Sequence, residues 1–141
     1  LYVIEELTGT ISVYNFVKGV AHFIQKANLH PSNFKGMAGS ADIHLSPDDL
    51  YLYATNRGSE NNFVCLKVLP GGKLDQKSIQ YYSTEGKSPR NFTLNKEGNW
   101  LLVANQDSDN IIALRRNIQT GALSSQGVSI KLSMPVCLLF Y

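Results

Sequence analysis

The chain has 141 residues, 43% of them hydrophobic and 17% charged, a balance typical of a folded domain and unlike that of a disordered chain. Thirteen Lys and Arg against eleven Asp and Glu leave a net charge of +2, and no basic stripe with interleaved aromatics is present, so nucleic acid is not an expected partner. No apolar run approaches the ~20 residues that cross a bilayer as a helix, and no leader pattern opens the chain, so a soluble protein with no membrane partner is expected.

Strand signals follow one another along the chain, marked by alternation and by β-branched or aromatic content. The first two lie at residues 1–5 and 10–16. Residues 22–29 could make one helical turn, and the stretch through Pro31 and Gly36 to Gly39 reads as a long connection. Strands are then expected at 41–45, 51–55, 63–68 and 79–83, with reversals at Ser46-Pro47-Asp48-Asp49 and Gly71-Gly72. Further strands fall at 91–94, 100–104, 111–115 and 136–140, with turns at Lys96-Glu97-Gly98-Asn99 and Thr120-Gly121. No long helix is expected. Cys65 and Cys137 lie inside strand patterns without metal-like spacing and read as small buried apolar residues, a usage that fits a reducing, cytoplasmic setting. In the pair Arg115-Arg116, at least one side chain is expected to face water.

These elements repeat. Residues 45–57 read LSPDDLYLYATNR and residues 94–106 read LNKEGNWLLVANQ, each a strand, a turn and a second strand ending in Asn. The flanks agree as well: PGGKL at 70–74 falls where QTGAL falls at 119–123, and LYVIEE at 1–6 lines up with LLVANQ at 101–106. A period of about fifty residues built from short strands and turns is the signature of a β-propeller. The expected fold is all-β, with blades of four antiparallel strands, named A to D from the channel outward. Residues 1–37 supply strands B to D of one blade, 41–83 a full blade, 89–130 another, and 135–141 a lone strand A. Such a strand closes a ring by pairing with B to D of the opposite end, which hides sheet edges that would otherwise template aggregation. About three blades are accounted for, so the partners expected are missing N-terminal blades or another copy of the chain.

Antiparallel pairing of A with B puts the start of A and the end of B at the same end of a blade. Glu6, Arg57 and Gln106 come just beyond three equivalent B strands, and Arg90 opens an A strand, so all four are expected around one rim. Arginine there suits bidentate binding of phosphate or carboxylate. His44 sits inside an A strand, Asp48 reads as a turn former after Pro47, and His22 and His30 lie in the long connection without ligand-like partners. No nucleophile elbow or zinc-protease motif is present, and neither a metal nor a cofactor is expected.

Residues 43–48 (IHLSPD), 52–58 (LYATNRG), 88–92 (SPRNF), 100–106 (WLLVANQ) and 120–123 (TGAL), taken as a set, resemble the seven-bladed propeller lactonase family. That family includes 6-phosphogluconolactonases and, more distantly, carboxymuconate-lactonizing enzymes. The resemblance covers nearly the whole chain, matches the C-terminal two-fifths or so of a family member, and extends to Pro135-Val136-Cys137 as a closing strand. It implies hydrolysis of a small anionic sugar-acid lactone, with 6-phosphogluconolactone foremost. Glu6, His44 and Arg57 are the catalytic candidates, and Arg90 and Gln106 the substrate-binding ones. Glu5-Glu6-Leu7 resembles the family's Asn-Glu-Leu, while Asp48-Asp49 stands where the family has Asp-Gly. The alternatives are a carboxymuconate-type cyclase, which would use the same rim for carboxylates, and a non-catalytic propeller scaffold binding protein or glycan.

Overall fold

Turn chemistry reverses the chain after nearly every strand, and the repeat makes the reversals alike. At the corner between the first two strands of each full unit, Gly98 adopts φ +64° and its counterpart Asp49 adopts φ +57°. Asp tolerates this left-handed corner better than most side chains, so the missing glycine leaves the turn intact. The computed structural model describes residues 1–141 and contains three antiparallel sheets. The first is β1 (Tyr2–Glu5), β2 (Thr10–Val17) and β3 (Val20–Asn28), in that order. The second is β4 (Ser40–Leu45), β5 (Tyr51–Asn56), β6 (Asn62–Val68) and β7 (Leu74–Ser83). The third is β8 (Pro89–Leu94), β9 (Trp100–Asn105), β10 (Asn110–Arg116) and β11 (Leu123–Lys131), with a single 3-10 turn at Gln106–Ser108. Tyr51 and Trp100 open equivalent strands, and the all-β partial propeller anticipated from the repeat is the fold observed.

Alternation sorts side chains to the two faces of each sheet, and the middle sheet is covered on both. Leu52, Ala54, Val64 and Leu66 pack toward the first sheet against Ile11, Val13 and Leu29. Tyr53, Phe63 and Cys65 pack toward the third against Phe92, Leu101 and Leu114. All six residues of β5 are therefore buried.

Polar rivets at repeated positions join the blades. The Tyr2 hydroxyl donates to Gly72 O and the Tyr53 hydroxyl to Gly121 O, both at 2.7 Å. Asn56 and Asn105, which end β5 and β9, donate to the carbonyls of Leu29 and Thr84, each the residue following the outer strand of the preceding blade. Arg116 is buried and donates to Tyr53 Oη (2.9 Å), Gly98 O (2.9 Å) and Asp48 Oδ2 (2.8 Å). Its neighbour Arg115 faces water and lies over the Trp100 ring.

Four local expectations need correction. Residues 20–28 form strand β3 rather than a helical turn. This outer strand is mostly exposed, so no alternation of burial marks it in the sequence, and pairing with β2 imposes its form. The outer strand of the second sheet starts at Leu74, well before residue 79, since its first half is likewise held by pairing with β6. Residues 136–140 adopt no strand, because no neighbouring backbone ladder is offered to them. Cys137 is consequently exposed, while Cys65 is buried as anticipated.

Candidate active site

The ends of the second strands and the starts of the first strands meet at one end of the arc. Ser40 N donates to Glu6 O (3.1 Å), Arg57 N to Gly39 O (2.8 Å) and Gln106 N to Ser88 O (3.0 Å), so each rim residue is locked to a neighbouring connection by its backbone. A cavity of about 250 Å³ opens there, lined by Ile4, Glu6, Ser40, Ala41, Arg57 and Arg90. Three blades thus contribute to one pocket.

Arg57 is the most enclosed of the charged residues lining the cavity, with 19% of its side chain exposed against 59% for Glu6. Its Nη2 donates to Glu6 Oε1, and its Nε is buried without a protein partner. Arg90 is exposed and sits at a β-bulge: Pro89 pairs with Asn105 and Asn91 with Ala104, leaving Arg90 as the extra residue. A bulge redirects the side chain it carries, and here it turns Arg90 to the cavity. Two guanidinium groups against one carboxylate give the pocket a net positive charge suited to an anion.

Gln106 does not line this cavity. It begins the 3-10 turn in the third blade, at the position Arg57 holds in the second, one blade further round. His44 is also outside it, three residues along β4 from Ala41, a distance of about 10 Å at ~3.3 Å per residue. Its ring is 42% exposed and meets Phe92 edge-on at 4.8 Å. Nε2 lies 3.1 Å from Asp42 Oδ2, and Nδ1 has no protein partner.

Asp42 is the residue that sequence reading missed. Its Oδ2 also accepts from Asn91 Nδ2 (2.7 Å) and Phe92 N (2.9 Å), and its Oδ1 from Ile43 N (2.9 Å). Burial on its own would raise the Asp42 carboxyl, but the bonds from His44, Phe92 and Ile43 outweigh it and hold the group below its ordinary value. The signal was an Asp and a His two residues apart on one strand, a spacing that places both on the same face.

Other candidates resolve into structure. Asp48 accepts from Ser46 Oγ and Leu50 N and pairs with Arg116, so it secures the turn and the blade interface. His30, which showed no partner in the sequence, is enclosed, lies 2.5 Å from Glu60 Oε2 through Nδ1, and stacks on Phe34 at 4.1 Å. His22 is exposed on β3. No group of three or more His, Cys, Asp or Glu side chains is placed to hold a metal ion, and no helix is long and apolar enough to cross a membrane.

Blades of four antiparallel strands, riveted at repeated positions around a charged rim, define a propeller of the lactonase type. Residues 1–140 match the family described as lactonase, 7-bladed β-propeller, and the chain belongs to that family. It is 39% identical over 122 residues to a 6-phosphogluconolactonase of Formosa agariphila, covering 86% of this chain and 34% of that protein. A 6-phosphogluconolactonase of Bacillus subtilis is 28% identical over 141 residues, covering 99% of this chain and 40% of its own length. Among solved structures, the periplasmic gluconolactonase of Pseudomonas aeruginosa superposes with a TM-score of 0.90 at 32% identity, over 96% of this chain and 38% of that one. The chain therefore spans between 34% and 40% of the length of these relatives.

Proposed function

We propose that this chain forms part of the active site of a hydrolase that opens a sugar-acid lactone, converting 6-phosphogluconolactone to 6-phosphogluconate. The observation that carries the reading is the convergence of Arg57, Arg90 and Glu6 on one rim cavity, supported by relatives named for that activity. Arg57 and Arg90 bind the phosphate. Glu6 holds one arm of the Arg57 guanidinium, so the remaining donors are oriented toward the substrate. In 6-phosphogluconolactone the phosphate arm hangs from the ring carbon bonded to the ester oxygen, so phosphate and carbonyl lie on the same side of the ring; the ~10 Å of strand between the rim and His44 is bridged by the arginine side chains, the phosphate arm and the attacking water together.

Ester hydrolysis needs a group to take a proton from water and positive charge for the developing oxyanion. His44 accepts the proton on Nδ1 as the water oxygen bonds to the carbonyl carbon. Collapse of the tetrahedral intermediate breaks the ring C–O bond, and the departing ring oxygen takes that proton back. Glu6 is the competing base, because it lies on the cavity itself. A large loss of kcat in His44→Gln with little change in Glu6→Gln supports the assignment to His44; the reverse result moves the proton transfer to the rim. Gln106 is assigned to substrate contacts one blade away, and the remaining blades of the seven-bladed ring complete the pocket. Two unpaired thiols suit a reducing compartment, and we assign the protein to the cytoplasm.

Acid release from 6-phosphogluconolactone and from unphosphorylated gluconolactone, measured with all blades of the ring present, tests the reading. The expected result is faster hydrolysis of the phosphorylated lactone, with the preference lost in Arg57→Ala and Arg90→Ala. Rates equal to those in buffer, together with tight binding of a polypeptide or glycan, would overturn it in favour of a scaffold. Cyclisation of carboxymuconate without lactone hydrolysis would show the related lactonizing activity instead.

A further inference from the structure

We propose that Asp42 is the positioning residue of this site, a single carboxylate that sets the tautomer of His44 and anchors the strand segment next to Arg90. The role of His44 in catalysis rests on the lactonase reading; the geometry does not. An ionised carboxylate only accepts hydrogen bonds, so contact between Asp42 Oδ2 and His44 Nε2 puts the imidazole proton on Nε2. Nδ1 then carries a free lone pair on a half-exposed ring, the form required of a base. The same oxygen accepts from Asn91 Nδ2 and Phe92 N, the two residues that follow the Arg90 bulge. One side chain in the second blade therefore holds the proton-transfer group and fixes the exit of the bulge bearing an anion-binding arginine in the third.

The repeat separates this role from a merely structural one. At the position of Asp42 the next blade has Asn91, whose Oδ1 accepts from Leu138 N at 2.6 Å, as Asp42 accepts from Phe92 N. An amide oxygen thus suffices to tie one blade to the segment that follows. Where the acceptor is Asn, the residue two further along the strand is Thr93; where it is Asp, that residue is His44. The negative charge accompanies the histidine, which is what a tautomer-setting role requires. The other groups close to the ring are uncharged: Phe92 on β8, and Tyr53 opposite it on β5, whose phenol proton is retained through burial. Arg90 is the nearest charge along β8.

Asp42→Asn tests the proposal, since Asn91 shows that an amide at this place supports the inter-blade bond. Nitrogen-15 NMR of the imidazole, with the His44 signals assigned by their loss in His44→Gln, is expected to show protonated Nε2 and bare Nδ1 in the unmodified protein. A mixture of tautomers is expected in Asp42→Asn. In lactone hydrolysis Asp42→Asn is expected to lower kcat ~10²–10⁴-fold with KM within about two-fold. Asp42→Ala, which also releases Asn91 and Phe92, is expected to raise KM as well. A dominant Nδ1–H tautomer in the unmodified protein, or tautomer populations indifferent to Asp42→Asn, would overturn the proposal, as would wild-type kcat in that variant. If no lactone is hydrolysed by the unmodified protein with all blades of the ring present, the lactonase reading fails, and the NMR result alone decides the role of Asp42.

Discussion

Two arginines of this chain show how surroundings assign different work to the same side chain. Arg57 pairs with a Glu6 that is largely in water, and such a pair contributes less than about 1 kcal/mol to folding. Arg57→Ala is therefore expected to leave the melting temperature within a few degrees while raising KM for the phosphorylated lactone more than ten-fold. Arg57→Lys is not expected to restore binding, because an ammonium lacks the planar fork. A large loss of thermal stability with unchanged kinetics would mean that Arg57 is structural. Arg116 is the opposite case: its side chain is 1% exposed and satisfies Tyr53, Gly98 and Asp48 together. Arg116→Ala leaves the buried Tyr53 hydroxyl and Gly98 carbonyl without that partner, while the exposed Asp48 turns to water, and is expected to cost about 1–3 kcal/mol, measurable by urea denaturation, with no selective effect on substrate binding. Gly9 has φ +64°, and a Cβ there would come within 1.9 Å of His30 Nε2, so Gly9→Ala is expected to destabilise by ~1–3 kcal/mol or more. The two thiols differ as well. Burial pushes the Cys65 thiol up to about 11, whereas Cys137 is exposed, so a thiol reagent at neutral pH is expected to modify one cysteine quickly and the second only on unfolding.

At the scale of elements, stability resides where one blade meets the next. Removing the Tyr53 hydroxyl leaves Gly121 O and Arg116 Nε without that partner in a buried interface, and Tyr53→Phe is expected to cost about 1–3 kcal/mol. Tyr2→Phe, at a half-buried interface, is expected to cost less. Bonded carboxylates, two between blades and one within the first sheet, govern the response to acid. For Asp48, burial raises the carboxyl, but bonds from Ser46, Arg116 and Leu50 outweigh it, so its folded value is depressed, as is that of Asp42. Bonds from Ser12 and Lys26 bring Glu5 down to about 2. A depressed carboxyl contributes stability that is complete above its unfolded value, near ~4, and is lost as pH falls through the folded value. The melting temperature is therefore expected to be flat in its carboxylate contribution from neutral pH to about 5 and to fall below ~4, with a shallower decline in Asp48→Asn.

Across the whole molecule, the middle sheet is covered on both faces, while apolar side chains stay exposed toward either end of the arc. Phe16, Val20 and Phe23 are each more than half exposed in the first sheet, as are Ile130 in the outer strand of the third and Leu132 and Met134 just after it. Repeated blades bury their faces by stacking, so we propose that the remaining blades of the seven-bladed ring cover these surfaces. The 141-residue chain by itself is expected to associate at micromolar concentration, shown by a sedimentation coefficient that rises with concentration, and to hydrolyse lactones poorly. A chain that is monomeric, cooperatively folded and fully active would contradict this.

The repeat, the alternation and the Asn at the end of each second strand were enough, read along the chain, to specify antiparallel blades, because these features follow from local backbone period and turn chemistry. They also placed Glu6, Arg57 and Arg90 at a common rim, since antiparallel pairing alone puts the end of one strand beside the start of its neighbour. Only the tertiary structure showed that Gln106 lies outside the cavity lined by Glu6, Arg57 and Arg90 and that residues 20–28 are a strand. It alone showed that His30 is enclosed with Glu60, and that Asp42 links His44 to the strand bearing Arg90. Each of these depends on contacts between residues far apart in sequence, where the neighbouring blade decides which polar groups are buried, which are paired and which remain free for chemistry.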